Sequence, residues 1–404
     1  MAKEHVWPLP WSVRVCDVLV ADSRTRAMSQ TPRLEMIVES LDGAARAGFV
    51  RTQRGSFAVP CFMPVGTRGV VRSLSVSDLE LLGVEVMLAN TYHLALRPGV
   101  DIVEEMGGIH GFTGWSGHVL TDSGGFQAYS LPSKIDEDGI TFKSVYDGSA
   151  FRMTPESAVD AQERLGSDIQ MVLDVCPALP ASSAVIWEAV QTTLGWAERS
   201  LNAHSSSFQA IFGIVQGGID VDARSCSAKR TAEMGFDGYG IGGLSVGEDR
   251  ADMLRALEAT LSELPDDRPR YLMGVGDPVG LIEAVALGVD MFDCVIPTRL
   301  ARHGTVLTSS GRMSLRNAKF AKDPRPLDES CVCSTCVSSS RAYLRHLLLV
   351  SEPTVLRLLT VHNLVWMMLL MRSAREAIRS GTYDAMRAEI ASVWRGSSRA
   401  RTVA

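Results

Sequence analysis

The chain of 404 residues lacks the long apolar runs of a membrane protein and the leader of a secreted one. Its longest apolar stretch near the C-terminus, residues 364–371, is too short to cross a bilayer. Residues 1–35 contain arginines and prolines but no apolar core, so they do not make a signal peptide. We therefore expect residues 1–35 to be a disordered extension of a cytoplasmic protein.

An excess of positive charge is also missing, which would normally argue against a nucleic acid as the partner. The formal net charge is -6, and 46% of the residues are apolar, as in ordinary globular proteins. The charge is uneven, however, because residues 293–325 hold seven Lys or Arg residues against two acids. A local basic face of this kind can bind phosphates, although an ordinary solvated surface has the same composition.

A disulfide framework is not indicated, because five of the eight cysteines are scattered along the chain. The other three, Cys331, Cys333 and Cys336, lie within six residues, and this spacing favours a metal site in a reduced compartment. The fourth ligand is open on spacing alone, since both His346 and His362 follow the cluster. Three cysteines and one histidine fill the four tetrahedral positions of zinc, so we expect a structural Zn²⁺.

No dinucleotide-binding fingerprint follows the first predicted strand, which weakens a doubly wound α/β fold. Short apolar runs alternate instead with helix-like segments such as 155–165, 181–203 and 250–264. This alternation predicts a parallel sheet buried on both faces, and it favours a (β/α)8 TIM-type barrel of the α/β class. The predicted parts are a single catalytic barrel over 36–390, a zinc-binding subdomain inserted in it over about 312–365, and a basic tail over 391–404.

Polar residues close most of the predicted strands. Asn90, Asp122, Asp174, Gln216 and Asp293 each end an apolar run. A helix cap explains any one of them more simply, but in a barrel all the carboxyl ends of the strands meet at one mouth. Asp122 precedes a serine and two glycines, which let backbone come close to a ligand. Two carboxylates at one mouth can serve as nucleophile and as proton donor and acceptor, which indicates chemistry at a glycosidic carbon.

Five segments, in order along the chain, resemble the signatures of tRNA-guanine transglycosylases. They are Asp-Ser-Gly-Gly-Phe-Gln at 122–127, Gly-Ile-Val-Gln-Gly-Gly at 213–218, Gly-Gly-Leu-Ser-Val-Gly-Glu at 242–248, Phe-Asp-Cys-Val-Ile-Pro-Thr-Arg at 292–299, and the cysteine cluster. The resemblance is to the bacterial branch, the queuine tRNA-ribosyltransferases, and it runs from about residue 44 to residue 382.

This resemblance implies an enzyme whose zinc subdomain helps to dock tRNA and which acts as a homodimer. Such an enzyme exchanges the wobble guanine of G-U-N anticodons for the 7-deazaguanine base preQ1, without cutting the phosphate backbone. Asp293 would be the nucleophile that attacks C1′ of the ribose. Asp122 would be the general acid and base, and would also contact the base.

The resemblance further implies three sets of binding residues. The base would be bound by Asp122, Ser123, Gly124, Gly125, Phe126, Asp174, Gln216, Gly243 and Leu244. The RNA would be bound by Gly274, Val275, Gly276, Asp277, Pro278, Val279, Gly280, Thr298, Arg299, Leu300, Ala301 and Arg302. The zinc ligands would be Cys331, Cys333, Cys336 and His362, which decides against His346.

The chain departs from the family pattern at a few positions. Many bacterial members have tyrosine at Phe126, glutamate at Val175 and glycine at Ala89. Phe126 and Val175 line the predicted base pocket, so base preference depends on them. Eukaryotic members, which accept the bulky base queuine, typically have glycine at Val246. A branched side chain there predicts a small pocket that admits preQ1.

Three other functions compete with this one. A retaining glycosidase of the same fold would explain two carboxylates but neither the cysteine cluster nor the arginine-rich stretch. An archaeal-type enzyme acting on the tRNA body would usually carry further RNA-binding domains after the zinc site. A non-catalytic tRNA-binding subunit would lack the nucleophile, whereas Asp293 is present. We therefore expect the bacterial-type enzyme.

Overall fold

The computed structural model describes residues 32–394. Most of the predicted extension (residues 1–31) and most of the predicted basic tail (residues 395–404) lie outside the described residues. The first described strand begins at Leu34, and the last described helix ends at Trp394.

Strands and helices alternate through most of the described chain. The strands are β1 (Leu34–Asp42), β2 (Ala45–Thr52), β3 (Gly55–Val59), β4 (Cys61–Pro64), β5 (Val86–Asn90), β6 (His118–Asp122), β7 (Ser133–Asp136), β8 (Gly139–Lys143), β9 (Ala150–Met153), β10 (Ile169–Met171), β11 (Ala210–Val215), β12 (Gly238–Ile241), β13 (Arg270–Leu272), β14 (Met291–Cys294), β15 (Thr305–Thr308) and β16 (Gly311–Ser314). The helices are α1 (Val76–Leu81), α2 (Thr91–Leu96), α3 (Val100–Glu105), α4 (Gly108–Thr113), α5 (Phe126–Ser130), α6 (Pro155–Leu165), α7 (Ser183–Ala203), α8 (Val221–Glu233), α9 (Arg250–Leu261), α10 (Pro278–Ala286), α11 (Ile296–Arg302), α12 (Ser334–Ser338), α13 (Arg341–Leu349), α14 (Thr354–Ser380) and α15 (Tyr383–Trp394).

Eight parallel strands form the central barrel. Their spatial order is β4-β14-β13-β12-β11-β10-β6-β5, and a parallel bridge between Val65 and Leu88 joins the two ends of this sheet. β5 and β11 are buried at every position, as expected for strands covered on both faces. The predicted (β/α)8 barrel is confirmed.

The strand register brings polar residues that are distant in sequence to the same level of the barrel. Asn90 and Asp122 are direct partners at the ends of β5 and β6, and Asp293 pairs with Met63 of β4. Because the strands are parallel, all these carboxyl ends lie at one mouth.

The predicted helices are present, and local sequence explains their ends. α6 begins after Thr154, whose side chain accepts the Ser157 N–H, and Pro155 occupies the first helical position. It ends where Gly166 adopts a left-handed conformation with φ of 71°. The prediction for 181–203 began two residues early, because Ser182 is the cap of α7.

Two three-stranded antiparallel sheets accompany the barrel, β1-β2-β3 before it and β7-β8-β9 after α5. The pattern of apolar runs does not predict β7, since every residue of that strand is exposed. A strand exposed on both faces has no alternation of apolar and polar residues to detect.

A second apolar core lies after the last barrel strand. It is formed around the β15-β16 hairpin, α12, α13 and the start of α14, with Val306, Phe320, Leu344 and Leu359 among its buried residues. Cys333 and Cys336 belong to the same core. The cysteine cluster is therefore packed into a small folded unit of its own.

α14 joins this second core to the barrel. The helix is long and apolar enough to cross a membrane by length and composition, but 56% of its most apolar window is buried inside the protein. Its residue Asn363 is fully buried. The Asn363 side chain accepts the Leu307 N–H (2.9 Å) and donates to the carbonyl of Pro297 (2.9 Å) in α11. The helix thus packs as a core element that connects the two units.

Candidate active site

The mouth of the barrel contains a cavity of about 360 Å³. The predicted residues on its wall are Asp122, Ser123, Gly125, Phe126, Asp174, Gly243, Leu244, Gly274, Asp293 and Arg299. Gly124 faces Met153 and Tyr92 instead, and Gln216 is fully buried beside Asp174. The structure therefore brings both predicted catalytic residues and seven of the nine predicted base-binding residues together around one cavity.

Asp122 lies at the end of β6 with its carboxylate held by the neighbouring strand end. Nδ2 of Asn90 donates to Oδ2 (2.5 Å), and the backbone N–H of Thr91 donates to Oδ1 (3.1 Å). Burial raises the pKa of Asp122 to about 7, and the charge of Asp293 adds to this effect, while the bonds from Thr91 and Asn90 oppose it. A carboxyl group with a pKa near neutrality can both give and take a proton at physiological pH.

Asp293 lies across the cavity at the end of β14. The hydroxyl of Tyr271 donates to its Oδ1 (2.6 Å), and the Gly274 N–H donates to the same oxygen (2.7 Å). Burial raises the pKa of Asp293, and these two hydrogen bonds lower it. Burial and the charge of Asp293 also raise the pKa of Tyr271, so the phenol remains a donor. Tyr271 was not singled out in the sequence, where it reads as part of an apolar strand.

Asp174 lines another part of the wall and forms a buried pair with Gln216, which itself does not line the cavity. Nε2 of Gln216 donates to Oδ2 of Asp174 (2.7 Å), which fixes the orientation of both side chains. Burial raises the pKa of Asp174 to about 6, and the bond from Gln216 opposes this. The amide oxygen of Gln216 is buried without a hydrogen-bond partner among the described residues. Such unmet polar capacity is unfavourable unless a ligand or water uses it.

Two glycines leave the space that the side chains of Asp174 and Gln216 occupy. A Cβ at Gly125 would lie 2.4 Å from Oδ1 of Asp174, and one at Gly243 would lie 2.3 Å from the amide oxygen of Gln216. Gly243 also has a φ of 67°, which side chains rarely adopt. A larger residue at either position would displace the Asp174–Gln216 pair.

The loop after β12 carries the residue expected to set the pocket size. Val246 lines the cavity next to Leu244. The carboxylate of Glu248 accepts hydrogen bonds from the backbone N–H groups of Ser245 and Val246, the latter at 3.0 Å. Ser245 has a φ of 70°, a conformation that costs a non-glycine residue about 1–3 kcal/mol. Glu248 therefore holds this loop in a strained shape.

Arg224 is a residue of this region that the sequence analysis missed. It is 0% exposed, and it donates from Nε to the carbonyl of Gly218 (2.8 Å) and from Nη1 to that of Val215 (3.1 Å). These two carbonyls lie on either side of Gln216, so the guanidinium fixes the turn that carries the amide. Burial lowers the pKa of Arg224 to about 10, which still leaves it charged at neutral pH. No signal marked it, since an arginine in α8 reads as a surface residue.

The residues expected to bind RNA fall into two segments. α11 carries Thr298, Arg299, Leu300, Ala301 and Arg302. Arg299 lines the cavity, and Nη1 of Arg302 donates to the hydroxyl of Thr298 (3.4 Å). Burial lowers the pKa of Arg302, and so do the charges of Arg72 and Arg299. The charges of Arg72 and Arg299 thus disfavour the charged form of Arg302, and an anion bound beside Arg302 would oppose that effect.

The second segment, residues 274–280, lies mostly in the interior. Gly274 is exposed, whereas Val275 and Val279 are buried in the apolar core. Asp277 caps α10 by accepting the Gly280 N–H (3.0 Å) and pairs with Arg250 (2.6 Å). Of this segment, Gly274 has the most exposed surface, and its contact with RNA remains a prediction.

The cysteine cluster and His362 form a separate site in the second core. The three Sγ atoms and one imidazole nitrogen all lie within 4.8 Å of one another. Nδ1 of His362 is 3.3 Å from Sγ of Cys336 and 3.6 Å from Sγ of Cys333. Nε2 lies 2.8 Å from the carbonyl of Leu307, which can only accept, so Nε2 carries the proton and Nδ1 faces the sulfurs. These four residues can hold a metal ion, and His346 is exposed on α13 outside the cluster.

Comparisons with known proteins identify the family of this chain. A family model described as queuine tRNA-ribosyltransferase matches residues 42–396. The queuine tRNA-ribosyltransferase of Herpetosiphon aurantiacus is 51% identical over 349 residues, which cover 86% of this chain and 89% of that protein. The one from Bacillus subtilis is 49% identical over 366 residues, which cover 90% and 96% respectively. This chain therefore belongs to the queuine tRNA-ribosyltransferase family.

Proposed function

We propose that this protein exchanges the wobble guanine of tRNAs with G-U-N anticodons for preQ1, as a pentosyltransferase of queuosine biosynthesis. One observation supports the proposal more strongly than the others do. Asp122 and Asp293 line the same cavity, and burial raises the pKa of both carboxyl groups. Two such groups are what a double displacement at a glycosidic carbon requires.

In the first half-reaction Asp293 attacks C1′ of the ribose. Tyr271 and Gly274 both donate to Oδ1, which leaves Oδ2 to form the new bond. The bond from C1′ to N9 breaks, and its electron pair leaves with the guanine. The neutral carboxyl of Asp122 protonates the departing base, and the ribose becomes an ester of Asp293.

In the second half-reaction N9 of the incoming base attacks C1′. The carboxylate of Asp122 takes the proton from N9, and the bond between C1′ and Asp293 breaks to release the carboxylate. Because C1′ is inverted twice, its configuration is retained. The tRNA stays covalently attached between the two steps, so the phosphate backbone is never cut.

The Asp174–Gln216 pair and the loop after β12 recognise the base in this proposal. A carboxyl and an amide held at a fixed distance match the donors and acceptors on the edge of a guanine. The Leu244 carbonyl would accept a charge-assisted bond from the aminomethyl group of preQ1. Val246 narrows the same cavity, which favours preQ1 over queuine.

The tRNA partner would be bound through the basic side of the mouth. Arg299 and Arg302 project from α11, directly after the strand that carries Asp293. The wobble base has to leave its stack before it reaches the cavity, and an unpaired anticodon base is the least costly to extract. Such a substrate also accounts for the cytoplasmic location that we expect.

We propose that the metal held by Cys331, Cys333, Cys336 and His362 is zinc. Three thiolates and one imidazole are a common donor set for tetrahedral zinc, and no ligand position is left for a substrate. When bound, the ion would cross-link α12 and the loop before it to α14. Its chemistry is structural, and each step at the barrel mouth is carried by Asp122 and Asp293.

A second copy of the chain is the partner that we propose for an apolar groove of about 740 Å³ between α1, α12 and α14. Two of its wall residues are almost fully exposed, Leu81 at 85% and Val332 at 83%. Large exposed apolar groups concentrated in one groove are typical of an interface. Light scattering on Leu81→Glu should give a monomer, and an unchanged dimer would remove this groove from the proposal.

Base exchange itself is tested with radiolabelled guanine and an unmodified tRNA that bears a G-U-N anticodon. We expect label to enter this tRNA, and none to enter a control tRNA with adenine at the wobble position. A glycosidase would instead release sugar from an aryl glycoside and leave the tRNA unlabelled. Labelling of both tRNAs, or of neither, would contradict the proposed function.

A further inference from the structure

The small unit around the cysteine cluster contains a polar cavity of about 870 Å³. Its wall is made by the β15-β16 hairpin, residues 317–330 and the start of α13. None of its residues lines the cavity at the barrel mouth, and none is a ligand in the metal cluster. The charged groups on the wall are Arg312, Lys319, Arg325, Arg341, Asp323, Asp328 and Glu329.

Two of the acidic groups on this wall are already engaged. Asp323 accepts hydrogen bonds from Arg325 (2.8 Å) and Arg341 (3.1 Å). Asp328 accepts from the hydroxyls of Ser309 (3.1 Å) and Ser330 (2.7 Å). These carboxylates therefore brace the wall and have little capacity left to neutralise further cations.

Two of the basic groups, in contrast, have N–H donors without an acceptor. Nε of Arg312 and Nε of Arg341 are both buried without a hydrogen-bond partner. The side chain of Arg312 forms no hydrogen bond or ion pair with any described residue. Lys319 has its ammonium 5.0 Å from the ring centre of Phe320 rather than on a carboxylate. A guanidinium N–H that is taken from water and left without an acceptor is unfavourable, which indicates an anionic occupant.

We propose that this cavity binds a phosphate group of the tRNA backbone, with Arg312 and Lys319 as the main contacts. A phosphate offers several acceptor oxygens at once, which suits two guanidinium donors and one ammonium. The basic surface is continuous along the chain, because α11 with Arg302 leads directly into the hairpin that carries Arg312. The proposal rests on the function above, since it takes tRNA as the source of the phosphate.

The test is tRNA affinity as a function of salt for Arg312→Gln and Lys319→Gln. The matched control is Arg255→Gln, which removes an arginine that is 70% exposed on α9 of the barrel. Each cavity variant should weaken the Kd by roughly tenfold and make the plot of log K against log salt shallower by about 0.7–1 for each cation taken away from the phosphate. The control should match the parent protein. Lys319 is exposed, so its variant reports on binding even if Arg312→Gln folds poorly.

Guanine exchange by the parent protein keeps this test separate from that of the function. If the parent exchanges guanine and both cavity variants bind tRNA as it does, the cavity proposal is wrong and the proposed function stands. If the parent exchanges no guanine, the function itself fails. Free inorganic phosphate is the other source of this chemistry. Thermal stabilisation of the parent by millimolar phosphate, abolished in Arg312→Gln without any change in tRNA affinity, would assign the cavity to free phosphate and overturn the proposed binding of tRNA.

Discussion

The barrel mouth and the metal cluster both bury polar side chains, but they use them in opposite ways. At the mouth, burial raises the pKa of Asp122 and Asp293, and a buried acceptor of Gln216 has no partner in the described protein. In the cluster, both nitrogens of His362 are assigned, one to the sulfurs and one to the Leu307 carbonyl.

The difference shows how a reactive site is distinguished from a structural one in this fold. At the mouth, buried polar groups lack part of their hydrogen bonding and are available to a substrate, at a cost in stability. In the cluster, both ring nitrogens of His362 have a partner, which fixes one orientation of its side chain, as a closed metal site requires. The two regions should therefore respond to substitution in different ways. Substitutions at the mouth should mainly lower the reaction rate, and substitutions in the cluster should mainly lower the free energy of unfolding.

The largest expected effect is on the cluster. Cys333→Ala should release the metal and unfold the second core, because binding of zinc to a closed site contributes on the order of 10 kcal/mol in small domains. Metal content by mass spectrometry and hydrogen exchange of α12 and α13 would measure this loss. His346→Ala is the control, since His346 is exposed and should keep one metal per chain. Full metal retention by His362→Ala at unchanged stability would break the comparison.

The next effect in size is at the mouth and should appear in rate alone. Asp293→Asn should lower kcat by at least roughly a thousandfold, because an amide is the same shape but a very poor nucleophile. Its tRNA affinity should stay within a few fold of the parent value, and its melting temperature should not fall. A denaturing gel should show a protein–RNA adduct for the parent only. An adduct formed by the asparagine protein would reassign the nucleophile.

A third effect concerns the stability cost of Asp122. Its folded pKa of about 7 lies above the usual range of an aspartate, so the folded state binds the proton more tightly than the unfolded chain does. The contribution of the Asp122 carboxyl to the free energy of unfolding is therefore highest at acid pH and declines as pH rises towards 7. Asp122→Asn should flatten that decline in urea melts between pH 5 and 8. An equal slope in both proteins would mean that Asp122 does not contribute it.

The smallest expected effect is on base preference. Val246→Gly removes a whole isopropyl group, so it should widen the pocket beside Leu244 and raise kcat/KM for queuine more than for preQ1, by at least the roughly 10- to 100-fold typical of a single methylene in an apolar pocket. The measurement is kcat/KM for both bases on both proteins. A parent protein that already prefers queuine would show that Val246 does not set the pocket size.

Sequence alone predicted the barrel and the position of its strand-end carboxylates, because both leave local patterns. Apolar runs alternate with helices, and several of the polar residues that end these runs line the cavity at the mouth, as Asp122 and Asp293 do. The four ligands of the cluster are different, since spacing left His346 and His362 equivalent. The structure separates them because α13 directs His346 to solvent and α14 directs His362 inward. Arg224 could not be predicted, since its partners are backbone carbonyls that only the folded turn brings together.

The hydrogen bonds of Asn363 have a consequence for how the two regions communicate. This residue follows His362 directly, and its side chain bonds to Pro297 at the start of α11, the helix of Arg299 and Arg302. A metal ion that orders α14 would therefore also favour the ordered form of α11. Metal and tRNA, bound at different places, would each strengthen the binding of the other. A chain without its metal would then bind tRNA more weakly, even with its catalytic carboxylates intact.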